Sequence, residues 1–271
     1  MMPINLVVVR HGQSEGNIAN RMSEAGDHSA YTEQFMNRHS SSFRLTEKGR
    51  RQAALAGSYI RKEFLDKWGN GFDRYLTSDY NRAMETASLL TLPNAMWQTE
   101  SYLVERDWGQ LDIMSDKERH EKFGVEMARR SIQPFFWRPP NGESFHQLCL
   151  RVDRVFDTLH RECGDKNVIM VCHGEVMRAV QVRLERLSQN EFRKLVLEPK
   201  DDERIWNCQI LHYTRREPGF SGRLTGSYEY VRYIRPTTEP IEISRWKQIH
   251  RRKYSNADLT ALVSETEPML T

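Results

Sequence analysis

Two apolar runs in this chain end on the same pair of residues. Leu6 to Val9 leads into Arg10-His11-Gly12, and Val168 to Cys172 leads into His173-Gly174. Imidazole can serve as nucleophile, proton carrier or cation near neutral pH, so two of them at matching places suggest one site. A metal is a poor occupant. Arg10 beside His11 repels a dication, and the chain has neither an H-x-x-H nor an H-E-x-x-H spacing. No hydroxyl or thiol sits in a recognisable nucleophile elbow. Arg82, in S-D-Y-N-R-A-M-E-T-A, and Glu105, in L-V-E-R-D-W, complete the set. Glu105 lies between apolar neighbours and close to Trp108, where burial disfavours the ionised carboxyl and suits a general acid. Arginines around imidazole point to phosphate. Phosphoryl transfer asks chiefly for positioning and charge neutralisation, which Arg10, Arg82 and a cationic or hydrogen-bonding His173 can supply while one neutral imidazole attacks phosphorus.

These groups need strands to carry them. Continuous apolar runs bounded by polar residues and glycine read as strands buried on both faces of a parallel sheet, and open α/β sheets bind ligands beyond the carboxyl ends of such strands. If the two runs lie side by side, both histidines point into one crevice. Helical spacing predicts a helix opening at Thr46 and stopping near Trp68, and another running to Leu90 with Ser78 or Asp79 as its cap. Arg82 then falls in a first helical turn, whose free N–H groups and dipole favour an anion. Further helices are expected over Ser115–Phe123, Phe145–Cys163 and Glu175–Leu184. Phe72–Leu76 and Met96–Gln98 read as short strands, and Trp206–Tyr213 as an edge or closing strand. Gly12 and Gly16 allow close backbone approach to a ligand, with Ser14 and Asn17 adding polar groups. Residues 18–44 show no clear period and read as a surface insertion, a lid, small helical excursions or a disordered segment. Arg106 or Asp107 is expected to face solvent. The aromatics Phe135, Phe136 and Trp137 read as core or lid packing.

With 271 residues, 38% of them hydrophobic, the chain can bury a sizeable core. Residues 1–215 are expected to form the functional domain, and 216–271 an extension packing on it. Glycines and prolines break the pattern of that extension around one strand, Tyr228–Ile234. Its basic run, Arg245–Lys253, is read as a helix packing Trp246 and Ile249 inward. Forty Lys plus Arg against 37 Asp plus Glu leave a net charge of +3, too slight to predict nucleic acid or membrane as partner. Cys149, Cys163, Cys172 and Cys208 show no metal or C-x-x-C spacing, and no stretch approaches a membrane span or a signal peptide. A cytoplasmic protein with reduced thiols is the expectation.

In order along the chain, V-V-V-R-H-G-Q-S-E-G-N, L-T-E-K-G-R-R-Q-A, S-D-Y-N-R-A-M-E-T-A, the Glu105 stretch and V-C-H-G-E-V-M-R-A resemble the histidine phosphatase superfamily, phosphoglycerate mutase-like branch. The resemblance covers roughly Asn5 to Tyr213. It implies a three-layer α/β/α fold with a mostly parallel central sheet. It also implies that His11 accepts the phosphoryl group and that Glu105 donates a proton to the leaving oxygen. Arg10, Arg82 and His173 would form the phosphate clamp, with Asn17, Ser14, Gln13 and Gly174 as substrate-binding residues. No metal or cofactor is expected, and the partner is a small phosphorylated substrate; a homodimer stays open. The segment after Glu105 leans towards a phosphatase. Arg129 and Arg130 resemble the phosphoglycerate site of the cofactor-dependent mutases, which is the alternative. A non-catalytic protein that binds phosphorylated ligands is the third reading, disfavoured because His11, Arg82, Glu105 and His173 are all present.

Overall fold

β1 (Asn5–Arg10) is buried on both faces, and its alternating side chains seed two separate cores. Leu6 and Val8 join Val168, Met170, Phe145, Leu148 and Val176 on one face. Val7 and Val9 join Ile169, Val171, Ala53, Ile60 and Ala87 on the other. Each fully buried aliphatic side chain contributes about 1.5–3 kcal/mol relative to exposure, so helices must cover the sheet on both sides.

The computed structural model describes residues 1–69, 71–219 and 222–264. Residues 265–271 of the expected extension, with 70, 220 and 221, lie outside the described residues. From β1 the chain runs through α1 (Glu15–Glu24), α2 (Glu33–Met36), α3 (Glu47–Ile60) and α4 (Asp66–Trp68) to β2 (Arg74–Thr77), α5 (Asn81–Leu89) and β3 (Trp97–Thr99). Next come α6 (Asp116–Ile132), α7 (Phe145–Glu162), β4 (Asn167–Cys172), α8 (Gly174–Leu184) and α9 (Gln189–Leu197). The chain continues through β5 (Ile210–Thr214), β6 (Tyr230–Arg235), β7 (Glu242–Ile243), β8 (Lys247–Gln248) and α10 (Asn256–Ser264). Across the sheet the order is β3-β2-β4-β1-β5-β6-β7, with β8 also paired to β6. The pairings among β3, β2, β4 and β1 are parallel, and those from β5 onward are antiparallel. Parallel character is thus confined to the half that carries both histidines. Register sets Arg10 beside Cys172, so His11 and His173 leave the sheet at one level.

Of the readings open for residues 18–44, the small helical excursions are what the structure holds. Ser14 caps α1 in a capping box with Asn17, and Thr32 caps α2. The helical period was hidden because α1 buries only Ala19 and Ser23. Neither Ser78 nor Asp79 caps α5: Tyr80 holds that position without a side-chain bond, and Ser78 Oγ accepts from the Tyr80 N–H. The helix expected to end at Phe123 only kinks there. β5 is interior rather than an edge, because β6 pairs along its free side. Arg245–Lys253 is not helical. Lys247 and Gln248 pair with β6, which satisfies their backbone there, although Ile249 is buried and Trp246 packs on His212 as expected.

Candidate active site

His11 and His173 come together with ring centroids 5.1 Å apart. Both are buried, yet they are anchored differently. Nδ1 of His11 lies 2.7 Å from the Gly12 carbonyl. A carbonyl only accepts, so Nδ1 carries the proton and Nε2 keeps its lone pair. Arg82 Nε donates to that Nε2 at 3.3 Å. His173 Nε2 lies 2.7 Å from Ser78 Oγ, a hydroxyl able to donate or accept, and its Nδ1 is buried without a hydrogen-bond partner among the described residues. Burial, then the charges of Arg82 and Arg10, hold His11 well below the usual imidazole range. Burial, then Arg82, His11 and Arg10, do the same to His173. Of the two forms expected of His173, the resting pocket therefore holds the neutral, hydrogen-bonding one.

The surrounding backbone is tightly tied. A Cβ on Gly12 would lie 2.4 Å from the Gly49 carbonyl, so only glycine fits there. The Gly12 N–H donates to Thr86 Oγ1 at 3.0 Å, and that hydroxyl donates to the Arg82 carbonyl at 2.7 Å. The exit of β1 is thereby locked to α5. Arg82 is buried in the first turn of α5, donates to the Ser40 carbonyl at 2.7 Å, and lies over the Tyr80 ring. Arg10 donates through Nη1 to the Ile205 carbonyl, while its buried Nε has no partner among the described residues. Gly174 opens α8, and a Cβ there would sit 3.5 Å from Arg10 Cζ, so the helix N-terminus and that guanidinium converge.

Glu105 is half-buried on the wall of a cavity of about 380 Å³ that His11, Arg82, Asn17 and Ser14 also line. Burial first and Glu175 second push its carboxyl above the usual range, against the opposing pull of Arg82 and Arg10. Glu175 stands in the first turn of α8 and accepts from Arg106 Nη1 at 3.4 Å and Trp108 Nε1 at 3.1 Å. Of the two candidates to face solvent, Arg106 is the buried one, held by the Glu143 and Trp137 carbonyls and by Glu175, which it neutralises. Asp107 is the exposed neighbour.

Gln13 takes another direction: its Oε1 accepts from Thr46 Oγ1 at 2.9 Å, and it is not among the residues lining the cavity. Arg130 lines the cavity with its guanidinium over Trp108, whereas Arg129 pairs with Glu126 at the surface. Phe135 packs on Phe145 and Phe192, and Trp137 is buried, so neither lines the cavity. Ser78, Glu175 and Asn207 were not singled out as site residues from sequence. Glu175 had a signal, its place directly after His173-Gly174; Asn207 had none, because only folding brings it to His11. Among the described residues no group of three or more His, Cys, Asp or Glu side chains is placed to hold a metal. No helix there is long and apolar enough to cross a membrane.

A sheet whose parallel half ends in two histidines and two arginines, with a protonatable carboxyl opposite, defines a phosphoryl-transfer enzyme. The chain belongs to the histidine phosphatase superfamily (branch 1), which matches residues 6–205. It is similar to a 2,3-bisphosphoglycerate-dependent phosphoglycerate mutase of Cytophaga hutchinsonii, 31% identical over 251 residues that cover 90% of this chain and 99% of that one. Among solved structures it resembles an alpha-ribazole phosphatase from Shigella flexneri, with 18% identity, a TM-score of 0.61, and coverage of 82% of this chain and 96% of that one. A mycobacterial glucosyl-3-phosphoglycerate phosphatase matches at 22% identity and a TM-score of 0.58, over 77% of this chain and 89% of that one. These structural likenesses share the fold. Mutase and phosphatase are the two activities that the comparisons leave for the site.

Proposed function

We propose that the protein hydrolyses small phosphomonoesters through a phosphohistidine on His11. Its Nε2 lone pair attacks phosphorus and the ester P–O bond breaks, with the leaving oxygen taking the proton of Glu105. The resulting carboxylate then takes a proton from water, the hydroxide attacks phosphorus, and the P–N bond breaks to release phosphate and neutral His11. Arg10 Nε, His173 Nδ1, the Asn17 amide and the Gly174 N–H are the donors assigned to the phosphate oxygens. Two of them, Arg10 Nε and His173 Nδ1, are buried polar atoms that nothing else in the described protein satisfies, a situation that costs about 1–3 kcal/mol each and favours an anion in their midst.

The observation that carries hydrolysis over transfer is the charge of the cavity. With Glu105 protonated and Glu175 paired to Arg106, Glu24, Asp112 and Asp116 remain as anions on its walls, and apart from Arg82 of the clamp only two guanidinium groups line it, those of Arg119 and Arg130. Arg119 is already spent on the Leu111 and Asp112 carbonyls and Asn20. Such walls suit a substrate with one phosphate and a polar remainder better than a bisphosphate that must turn within the site. The mutase reading draws on the relative from Cytophaga hutchinsonii and on Arg130, poised over Trp108 for a second acidic group. A trap separates the two. Single-turnover labelling with a chromogenic monoester is expected to give a phosphoenzyme that hydrolyses promptly without an acceptor. A long-lived phosphoenzyme discharged only by added 3-phosphoglycerate establishes the mutase instead.

A further inference from the structure

The segment Ile205 to Gln209, at and just beyond the end of the stretch that matches the family, grips the two residues that carry the chemistry. The Cys208 N–H is shared between the carbonyls of Arg10 and His11, at 3.2 and 3.3 Å, and the Gln209 carbonyl accepts from the Arg10 N–H at 3.0 Å. Cys208 adopts a φ of 57°, in the left-handed region that non-glycine residues enter at a cost. The turn is braced from outside. The Trp206 N–H donates to Gln209 Oε1 at 2.7 Å, and Arg235 of β6 covers the Trp206 ring.

Within this grip, Asn207 Nδ2 spends its two N–H groups on the His11 carbonyl, at 3.1 Å, and on Asn17 Oδ1, at 3.0 Å. Asn17 Oδ1 also accepts from the Ser14 N–H at 3.2 Å. Two donors therefore pin the oxygen end of the Asn17 amide. Its Nδ2 end has no protein acceptor among the described residues, and Asn17 lines the cavity beside His11. Resting on the phosphohydrolase reading above, we propose that Asn207 is a positioning residue that fixes the orientation of the Asn17 amide, so that its NH2 rather than its oxygen meets the substrate phosphate. The reverse orientation would set two N–H donors against an NH2 group and turn a carbonyl oxygen towards a dianion. Asn207 itself needs no contact with substrate. Its hold on the His11 carbonyl steadies the nucleophile's backbone as a second consequence of the same two bonds.

The test is a double-mutant cycle on the full chain. It is read by the inhibition constant of inorganic phosphate and by KM and kcat for an aryl phosphate, with melting curves for each variant. Asn207→Ala is expected to weaken phosphate inhibition about ten-fold, the scale of a hydrogen bond to a charged group, and to raise KM more than it lowers kcat. Asn207→Asp, which puts an acceptor against Asn17 Oδ1, is expected to weaken it further. In an Asn17→Ala background, Asn207→Ala is expected to add less than about two-fold, because the amide it orients is gone. Multiplying effects would overturn the proposal and leave Asn207 a purely structural residue. So would an Asn207→Ala variant with wild-type phosphate affinity. If the wild type neither binds phosphate nor cleaves the ester, the hydrolase reading fails first and takes this one with it. A competent wild type with an uncoupled Asn207 refutes this inference alone.

Discussion

His11 and His173 follow neighbouring strands in register, lie within van der Waals reach of each other, and are both neutral and buried. Their second nitrogens tell them apart. His11 is tied to a carbonyl, which can only accept, so its tautomer is locked with the lone pair on the nitrogen that faces Arg82. His173 is tied to a hydroxyl, which accepts or donates as the ring requires. In the proposed mechanism one ring is thus held with its lone pair ready for attack, while the other is free to take up a proton when a phosphate dianion arrives beside it. On that reading, a single change of anchoring atom divides two otherwise similar histidines into two roles.

The strongest way to break this comparison is to delete the fixed ring. His11→Ala is expected to lower kcat by about 10⁴-fold or more, because no other group can form the covalent intermediate. Loss of the phosphoenzyme band in rapid-quench labelling is the check. An enzyme that keeps a substantial rate would assign attack to His173 or to water. Next comes the acid opposite. Glu105→Gln is expected to cost about 10²–10⁴-fold with alkyl phosphates and far less with a nitrophenyl ester, whose leaving group needs no proton. Equal losses across leaving groups of different pKa would remove Glu105 from the acid role. Since burial and Glu175 hold its carboxyl above the usual range, the wild type should lose activity on alkyl phosphates as pH rises through a value higher than that of an ordinary glutamate, a limb that Glu105→Gln should remove.

How far the sequence shows this division depends on how local each feature is. β1, β4, α3, α7 and α8 were legible because their side chains repeat with the period of the element and are buried on the matching face. The positions of His11, Arg82, Glu105 and His173 were legible for the same reason: each lies at or just beyond the end of such an element or in a dense motif. α1 was hidden because the positions it buries, Ala19 and Ser23, are small or polar and leave no apolar stripe to read. Sequence left open whether Arg106 or Asp107 faces solvent, because the partner that draws Arg106 inward, Glu175, is distant along the chain. The anchors that separate the two histidines were out of reach altogether. Ser78 reads as a helix cap until the sheet sets it beside His173, and nothing in the tripeptide at His11 says which ring nitrogen meets the Gly12 carbonyl.

Without phosphate both rings should resist protonation. Both folded-state values lie below the ordinary imidazole value of about 6.5, so the unfolded chain takes up protons first as pH falls. The stability tied to their neutral forms is complete above that value, and is lost below it at about 1.4 kcal/mol per pH unit for each ring, until the folded values are reached. Denaturant unfolding between pH 7 and 5 measures the slope, and His11→Phe should reduce it by one ring's share. Saturating phosphate should flatten the slope further in the wild type, by raising the His173 value. An unchanged slope with phosphate would mean that His173 stays neutral throughout.

The smallest effect sharpens the comparison most. Ser78→Ala removes the hydroxyl that lets His173 change its hydrogen-bonding sense, along with the bond from the Tyr80 N–H. The ring remains packed between His11 and Tyr80, so the loss should be about that of one neutral hydrogen bond, roughly 1 kcal/mol or five-fold in kcat/KM. Its signature is where the loss falls. Phosphate affinity should decline most at low pH, where the imidazolium needs Ser78 as an acceptor, while phosphorylation of His11 by an activated ester keeps its rate, because the Gly12 carbonyl still sets that tautomer. A Ser78→Ala variant that slows phosphorylation as much as it weakens phosphate binding would mean that the hydroxyl serves both histidines, and that anchoring alone does not divide their roles.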